Sequence, residues 1–268
     1  MKASLSQNIK QTVIDEYSII ALRTFQIGSA EQRETICSAI YNEIEQEYRT
    51  FPGYKDEANL GLGCGFPFKY AAIKNGESIV DLGCGAGIDT FIAAALTGEK
   101  GNVTGIDLTS KLLDHAIQIA EQQKISNVDF KQGDIENIPL SDSFCDVIIS
   151  NGVFSLLPDI KMVFKEMFRI LKPGGRICIA DITKFGEMST HLYRSLLQYT
   201  GCLNGISTVE RYCDAAITAG FSSIQIIDAR KLEIPETIFT NEILATEFDA
   251  YHKNAFGLKI VNLSAVKK

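Results

Sequence analysis

The chain has 268 residues, of which 46% are hydrophobic and 22% charged, a balance typical of a folded soluble protein. Its formal net charge of −7 argues against a nucleic acid or an anionic membrane as partner, because both favour clustered Lys and Arg. No stretch approaches the roughly 20 apolar residues that span a bilayer, and the N-terminus lacks the apolar core of a signal peptide. We therefore expect a cytoplasmic protein without nucleic-acid or membrane partners.

The cysteines and histidines form no recognisable metal or disulfide pattern. The seven cysteines are odd in number and contain no C-x-x-C pair, so neither a disulfide framework nor a zinc ribbon is indicated. The three histidines are scattered and add no metal motif. The cysteines lie at positions 37, 64, 84, 145, 178, 202 and 213.

The first 70 residues predict a helical N-terminal cap. Apolar side chains recur at helical spacing over residues 9–25 and again over residues 33–48. Glycine and proline then become frequent between Pro52 and Pro67, which indicates a loop.

Short apolar runs alternate with helical patterns from Ser78 onward. The runs "SIVDLG", "NVTGIDL", "VDFKQGD", "FCDVIISN" and "RICIADI" predict buried strands, and Pro173 with Gly174 predicts the end of the helix before the last of them. Two later helical patterns precede the strands "SSIQIIDA" and "GLKIVNLSAV", which an acidic insert separates. This order predicts a doubly wound, Rossmann-like α/β fold. Its mostly parallel, seven-stranded sheet carries helices on both faces and the helical cap at its N-terminus.

The turn after the first predicted strand, Gly83-Cys84-Gly85-Ala86-Gly87, is the principal candidate for a nucleotide-binding loop. Ligands of doubly wound folds bind at the carboxyl ends of the strands, where glycines let the backbone approach and the next helix offers free N–H groups. Asp107 ends the next strand, where a carboxylate can accept both hydroxyls of a ribose. Asp134 follows the third strand, where it can accept a hydrogen bond from an adenine amino group.

Two cofactors compete for this arrangement. A dinucleotide site favours G-x-G-x-x-G, whereas this loop reads G-x-G-x-G with Ile88 in place of the third glycine. S-adenosylmethionine carries no phosphate, and its methionine carboxylate and ammonium need backbone N–H and C=O groups from the loop. The sequence favours S-adenosylmethionine and leaves a nicotinamide dinucleotide as a distant alternative.

Five motifs across residues 78–183 carry a family resemblance: "VDLGCGAG", "GIDLT", "GDIENIPL", "FCDVIISN" and "ILKPGGRICIADI". In their order and spacing the chain resembles the class I S-adenosylmethionine-dependent methyltransferases. The resemblance implies that the glycine loop and Asp81 surround the methionine end, Asp107 the ribose, and Asn151 the sulfonium side, with Asp134 and Ile135 at the adenine. The implied cofactor-binding residues are Asp81, Gly83, Cys84, Gly85, Gly87, Asp107, Leu108, Asp134, Ile135 and Asn151.

We expect a single methyltransferase domain over residues 1–268. It divides into the helical cap and loop (1–70), the cofactor-binding core (71–183), and C-terminal helices with closing strands (184–268).

Segments outside the glycine loop carry a narrower resemblance. "IKQTVIDEYSIIALR", "LGLGCGFPF" and "SNGVFSLLPDIKMVFKEMFRILKPGGR" are similar to the arsenite methyltransferase branch. This likeness implies that trivalent arsenic is held by cysteine thiolates, which are soft ligands and leave its lone pair free. Cys64 matches the loop cysteine of that branch and Cys202 the late one, so these two are the candidate catalytic residues.

The middle cysteine of that branch is absent, because the chain reads Asn151-Gly152-Val153 where the branch reads Asn-Cys-Val. Cys37 would replace it only if the cap folds over the site; otherwise a small thiol such as glutathione would complete three sulfur ligands. Alternatively, Gly152 makes room for a carbon-based acceptor of a small-molecule O-, N- or C-methyltransferase, or the chain binds S-adenosylmethionine without catalysis. A buried thiol without a ligand is the competing interpretation of both Cys64 and Cys202.

Overall fold

The computed structural model describes residues 2–27, 44–200, 205–234, 236, 239 and 242–268. The predicted helix over residues 33–48 falls mostly outside these ranges, and its described part, residues 44–48, is helical. Cys37 and Cys202 also lie outside the described residues. None of the helices in these ranges combines the length and hydropathy that a membrane span requires.

A sheet of seven strands forms the centre of the described chain, in the order β3-β2-β1-β4-β5-β7-β6. Strands β1 to β5 are parallel, whereas β7 is antiparallel to both β5 and β6. Strand order reverses between β1 and β4, which opens a crevice at their carboxyl ends. The strands are β1 (Ser78–Leu82), β2 (Asn102–Asp107), β3 (Val128–Gln132), β4 (Cys145–Asn151), β5 (Leu171–Phe185), β6 (Ser222–Leu232) and β7 (Gly257–Val266).

Helices cover both faces of this sheet, so the predicted fold class is confirmed. The acidic insert between β6 and β7 contains a helix, α8, that the sequence pattern did not predict. The helices are α1 (Lys2–Ile27), α2 (Pro67–Tyr70), α3 (Ile88–Thr97), α4 (Ser110–Gln122), α5 (Ile160–Ile170), α6 (Thr190–Thr200), α7 (Val209–Ala219) and α8 (Glu242–His252).

Strand β4 shows why the central strands read as unbroken apolar runs. Its alternate side chains point to opposite faces of the sheet. Ile148 packs in the cluster that includes α5, whereas Val147 and Ile149 pack in the cluster that includes α3. Because both faces are covered, every position of the strand favours an apolar residue.

Helix α1 forms one helical part of the N-terminal cap. Its Ala21 is 1% exposed and packs in one cluster with Phe91 of α3 and Leu112 of α4. Leu60, in the loop that leads to the first strand, belongs to the same cluster. The cap and the loop are thus held on the side of the sheet where β1 and β2 end.

The structure differs from the sequence prediction at Pro173 and Gly174. Helix α5 ends at Ile170, and β5 begins directly at Leu171, so both residues lie inside the strand. The pairing of β5 with β4 shifts register over this stretch. A proline is tolerated in such an irregularity because a bulged residue need not donate a ladder hydrogen bond.

Candidate cofactor and acceptor site

A cleft opens at the carboxyl ends of β1, β2 and β4 and encloses roughly 1070 Å³, counted with its open mouth. Its walls come from the glycine loop, the residues after β2, β3 and β4, and residues 58–63. Helix α1 contributes Lys10, Val13 and Tyr17, whose spacing puts them on one helical face. Nine of the ten residues predicted to bind the cofactor line this cleft, namely Asp81, Gly83, Cys84, Gly85, Asp107, Leu108, Asp134, Ile135 and Asn151.

The glycine loop adopts a backbone conformation that favours glycine. Gly83 has a φ of +73°, and a Cβ at this position would lie 2.3 Å from a methyl carbon of Val153. The N–H of Gly83 donates to the carbonyl oxygen of Ile106 at 2.7 Å, which ties the loop to β2. Gly87 does not line the cleft; it precedes α3, and its φ of +91° turns the chain into that helix.

Cys84 is a packed residue of the loop. A Cβ on Gly105 of β2 would lie 2.8 Å from its Sγ, so the thiol faces the sheet. Desolvation raises the pKa of the Cys84 thiol well above its ordinary value, and the charges of Asp107 and Asp81 raise it further. A thiol that resists ionisation is a poor nucleophile. Burial likewise raises the pKa of two strand cysteines, Cys145 and Cys178, to about 12.

Besides Asp134, three carboxylates line the cleft, those of Asp81, Asp89 and Asp107. Burial raises the pKa of Asp81 well above its ordinary value, and the charge of Asp89 adds to the rise. Burial also raises the pKa of Asp89 to about 6 and raises that of Asp107. Hydrogen bonds hold them in place: Thr90 donates to Asp81 at 2.7 Å, and the N–H of Gly85 donates to Asp107 at 2.9 Å. Grouped, desolvated carboxylates favour a positively charged ligand.

Lys10 of α1 binds the acid that was predicted to contact adenine. Its Nζ lies 2.5 Å from Oδ2 of Asp134 and forms a second ion pair with Glu136. The other oxygen of Asp134 accepts the N–H of Glu136 at 2.9 Å, and Ile135 between them is buried. Sequence reasoning missed Lys10 and Glu136. The available signal was the helical spacing that puts Lys10 on the same face as Tyr17.

Asn151, at the end of β4, links the loop that contains Cys64 to helix α3. Its Oδ1 accepts the backbone N–H groups of Cys64 at 3.0 Å and Gly65 at 3.2 Å. Its Nδ2 lies 2.7 Å from the hydroxyl of Tyr48 and 2.9 Å from Oδ2 of Asp89. Sequence reasoning missed both partners, because Tyr48 resembles an apolar position of a helix and Asp89 an ordinary first-turn acid.

Cys64 lies behind the wall of the cleft. Its side chain is 3% exposed, and its Sγ lies 3.9 Å from the place where a Cβ on Gly152, a lining residue, would sit. The structure thus places Cys64 beside the position of the missing cysteine. The second candidate, Cys202, lies outside the described residues. Among the residues that are described, no three His, Cys, Asp or Glu side chains are grouped to hold a metal ion.

The strand order, the glycine loop at the end of β1 and the acid at the end of β2 define an α/β protein that binds a nucleoside-containing cofactor. The antiparallel β7 between β5 and β6 distinguishes this sheet from the all-parallel dinucleotide-binding arrangement. The chain belongs to the methyltransferase domain family, whose model matches residues 73–244.

The chain is also similar to several methyltransferases. It is 38% identical over 171 residues to the arsenite methyltransferase of Halobacterium salinarum, covering 64% of this chain and 44% of that protein. It is 34% identical over 118 residues to the demethylmenaquinone methyltransferase of Lactobacillus johnsonii, covering 44% and 48%. In structure it matches an arsenic(III) S-adenosylmethionine methyltransferase from Chlamydomonas reinhardtii with a TM-score of 0.63 and 27% identity, covering 87% of this chain and 74% of that one. The chain spans about half the length of these two curated relatives.

Proposed function

We propose that the protein transfers a methyl group from S-adenosylmethionine to trivalent arsenic held on the sulfur of Cys64. One observation carries the proposal. Cys64 lies directly behind Gly152, a wall residue of a cleft whose glycine loop and carboxylates suit a cationic nucleoside cofactor. The relatives named above, which include two proteins that methylate arsenic, support the same choice of acceptor.

The residues of the cleft suit the methionine end of this cofactor. A Cβ on Gly85 would project to within 3.4 Å of Leu60, another lining residue, so a side chain there would narrow the cleft. The sulfonium and ammonium groups of the cofactor are cations, which the carboxylates of Asp81 and Asp89 favour. When bound, the cofactor supplies a methyl carbon on a positively charged sulfur.

The opposite end of the cleft suits the nucleoside. Asp107 would accept the ribose hydroxyls, and Asp134 with Ile135 would bind the adenine, in keeping with the family resemblance. Lys10 of α1 binds Asp134 at this end, and with Lys10 and Tyr17 both lining the cleft, α1 would exclude water from it.

The acceptor would be assembled on sulfur ligands. Cys64 would displace one hydroxyl of arsenite, forming an arsenic–sulfur bond, and its thiol proton would leave with that hydroxyl as water. Cys202 is proposed as the second ligand. The described residues that flank it, Leu196 and Ile206, pack in the same cluster as Cys64, which supports this pairing. A small thiol such as glutathione would supply the third sulfur in place of the cysteine absent at Gly152.

The bound cofactor would supply an electrophilic methyl carbon, for which the arsenic lone pair would be the nucleophile, and the electron pair of the broken carbon–sulfur bond would remain on the cofactor sulfur. This displacement requires the arsenic to lie about 3 Å from the methyl carbon, opposite the departing sulfur. An arsenic atom bound to Cys64 would reach the cleft beside Gly152, the lining residue whose added Cβ would lie 3.9 Å from the Cys64 Sγ.

An assay with S-adenosylmethionine, glutathione and arsenite tests the proposal, with methylated arsenic detected by chromatography and mass spectrometry. We expect the wild type to form product and Cys64→Ser to lose about tenfold or more of the rate, because a hydroxyl is a poor ligand for a soft metalloid. Cys213→Ser is the matched control, since Cys213 lies on α7 and does not line the cleft. An absence of methylated arsenic while the cofactor binds measurably would exclude the arsenite assignment.

A small organic acceptor is the second candidate function. The cysteine of the arsenite branch is replaced by Gly152, and the apolar residues Val153, Leu156 and Leu157 line the adjacent wall. Cofactor turnover on a panel of phenols, quinols and amines that survives Cys64→Ser combined with Cys202→Ser would identify this activity. Cofactor binding without turnover on any acceptor would identify a non-catalytic binding protein.

We also infer a cytoplasmic setting, because the proposed thiolate ligands must stay reduced and the cytosol keeps thiols in that state. Fractionation of cells that express the tagged chain would test this inference, and recovery from an oxidising compartment would contradict it.

A further inference from the structure

We propose that Asn151, Tyr48 and Asp89 form a positioning network that fixes the Cys64 loop against helix α3. The inference rests on the proposed function in one respect, the role of Cys64 as the acceptor ligand. Asn151 and Asp89 also line the cleft, but within this network all three residues act through the placement of Cys64.

The loop at Cys64 depends on a side chain for its backbone hydrogen bonds. The N–H groups of Cys64 and Gly65 both donate to Oδ1 of Asn151, and the thiol of Cys64 lies 3.4 Å from the same oxygen. Buried N–H groups need an acceptor, and the loss of one costs more than the bond itself contributes. The carbonyl oxygen of Gly65 in turn accepts from the hydroxyl of Tyr48 at 2.8 Å.

The carboxylate of Asp89 determines which way the amide of Asn151 points. A carboxylate can only accept hydrogen bonds, so the amide group must turn its NH₂ side toward Asp89 and its oxygen toward Cys64. Tyr48 strengthens this choice, because its hydroxyl lies 3.0 Å from Oδ1 of Asp89 and 2.7 Å from Nδ2 of Asn151. The carbonyl oxygen of Gly65, 3.0 Å from Nδ2, is a further acceptor, so three partners on its NH₂ side fix the orientation of this amide.

The network connects the acceptor ligand to the cofactor loop. Asp89 is the second residue of α3, which begins directly after the glycine loop. Asn151 ends β4, and Tyr48 belongs to the segment before the Cys64 loop. Three separate parts of the chain thus hold Cys64 at a fixed place relative to the methionine end of the cleft, as an in-line transfer requires.

An exchange of the amide and the carboxylate tests this arrangement. Asn151→Asp puts a second carboxylate against Asp89, so we expect the loop to open. The double variant Asn151→Asp with Asp89→Asn restores one carboxylate and one amide, with the carboxylate accepting from the loop. The readout is hydrogen–deuterium exchange of a peptide over residues 59–68. We expect about tenfold faster exchange in the single variant and recovery to near the wild-type rate in the double variant.

A second pair of variants keeps the test decisive if Asn151→Asp fails to fold. Tyr48→Phe removes the buried hydroxyl of the network, whereas Tyr70→Phe removes a hydroxyl that bonds Asp228 near the surface. We expect faster exchange over residues 59–68 only in Tyr48→Phe. Equal exchange in the two tyrosine variants, or a double variant that exchanges as fast as Asn151→Asp, would overturn the proposal.

The exchange measurement needs neither arsenic nor cofactor turnover. A failure of arsenite methylation together with recovery in the double variant would refute the proposed function and leave the positioning network standing. If the protein methylates arsenite, and the network variants change neither that rate nor the hydrogen exchange, the positioning network is refuted and the proposed function stands.

Discussion

Gly152 stands where the arsenite methyltransferase branch has a cysteine. There is space for a side chain at this position, but the backbone conformation favours glycine. Its φ of +71° lies in the left-handed region. A Cβ there would lie 3.2 Å from the carbonyl oxygen of Leu62 and 3.9 Å from the Sγ of Cys64. A cysteine at this position would therefore stand next to Cys64, at the cost of some backbone strain.

We predict that Gly152→Cys raises the affinity for arsenite by about tenfold or more, because a third thiolate joins the site. The left-handed backbone should lower the free energy of unfolding by about 1 to 2 kcal/mol. Calorimetric titration with arsenite and urea unfolding measure the two effects. Gly152→Ser carries the same strain without a soft ligand, so an equal gain of affinity in that variant would contradict the explanation.

A second residue-scale prediction concerns Asp107. Its two oxygens accept the N–H groups of Gly85 and Thr109, and it would also accept the ribose hydroxyls. Asp107→Asn removes the charge and half of the acceptor capacity, so we expect the Kd for S-adenosylmethionine to rise about tenfold to a hundredfold. Calorimetry measures the change, with Asp129→Asn, an exposed acid of β3, as control. Equal effects of the two substitutions would show that Asp107 has no specific role.

At the scale of elements, Lys10 ties helix α1 to the residues after β3. Its ion pairs with Asp134 and Glu136 are partly buried, with 22% of the Lys10 side chain exposed. Pairs of this kind contribute about 1 kcal/mol, and like charges in the same place cost a similar amount.

Lys10→Glu should therefore loosen α1. We expect about fivefold to tenfold faster hydrogen exchange over residues 7–21, together with a faster loss of the bound cofactor. Lys111→Glu makes the same charge change on an exposed position of α4 and serves as control. If both variants leave α1 as protected as in the wild type, the ion pairs do not hold the cap.

The elements of the sheet could be predicted because the signals that specify them are local. Strand β4 is apolar over Val147 to Ile149, since both of its faces are covered there. The bulge at Pro173 and Gly174 could not be predicted, because it arises from the register of β5 against β4. Helix α8 was missed for a related reason: its sequence is acidic and its fold depends on packing against the C-terminal strands.

At the scale of the whole molecule, some contacts of the candidate site could also be predicted from the sequence, whereas others could not. The glycine loop and Asp107 are separated only by helix α3, a short turn and strand β2, so spacing along the chain predicted their proximity. Lys10 and Asp134 are 124 residues apart, and Tyr48 and Asn151 are 103 apart. Such pairs depend on how the cap folds onto the sheet, which no short motif encodes. In each pair a motif residue, Asp134 or Asn151, binds a residue outside the motifs, and these contacts hold the cap and the Cys64 loop in place.

The last prediction concerns the response of the whole fold to pH through Asp181. This buried residue of β5 accepts the N–H groups of Phe154 at 2.8 Å and Ile182 at 2.7 Å, and so anchors the turn after β4. Burial raises the pKa of Asp181 to about 7, so the folded state holds a proton that the unfolded state has released. The contribution of this proton to the free energy of unfolding is fully present below the ordinary pKa of an aspartate. It is lost as pH rises through about 7.

The amide that Asp181→Asn introduces cannot ionise, so the free energy of unfolding of this variant should not decrease through this group as pH rises. We expect the free energy of unfolding of the wild type to fall by about 1 kcal/mol relative to the variant between about pH 6 and about pH 8. Urea unfolding at several pH values measures the difference, and the titration of other groups, including Asp89, cancels because both proteins share them. The variant keeps one side-chain oxygen to accept from Phe154 and loses the acceptor for Ile182. Because that loss does not depend on pH, the difference in pH dependence isolates the ionisation. Parallel curves for the two proteins would mean that Asp181 is ionised in the fold throughout this range.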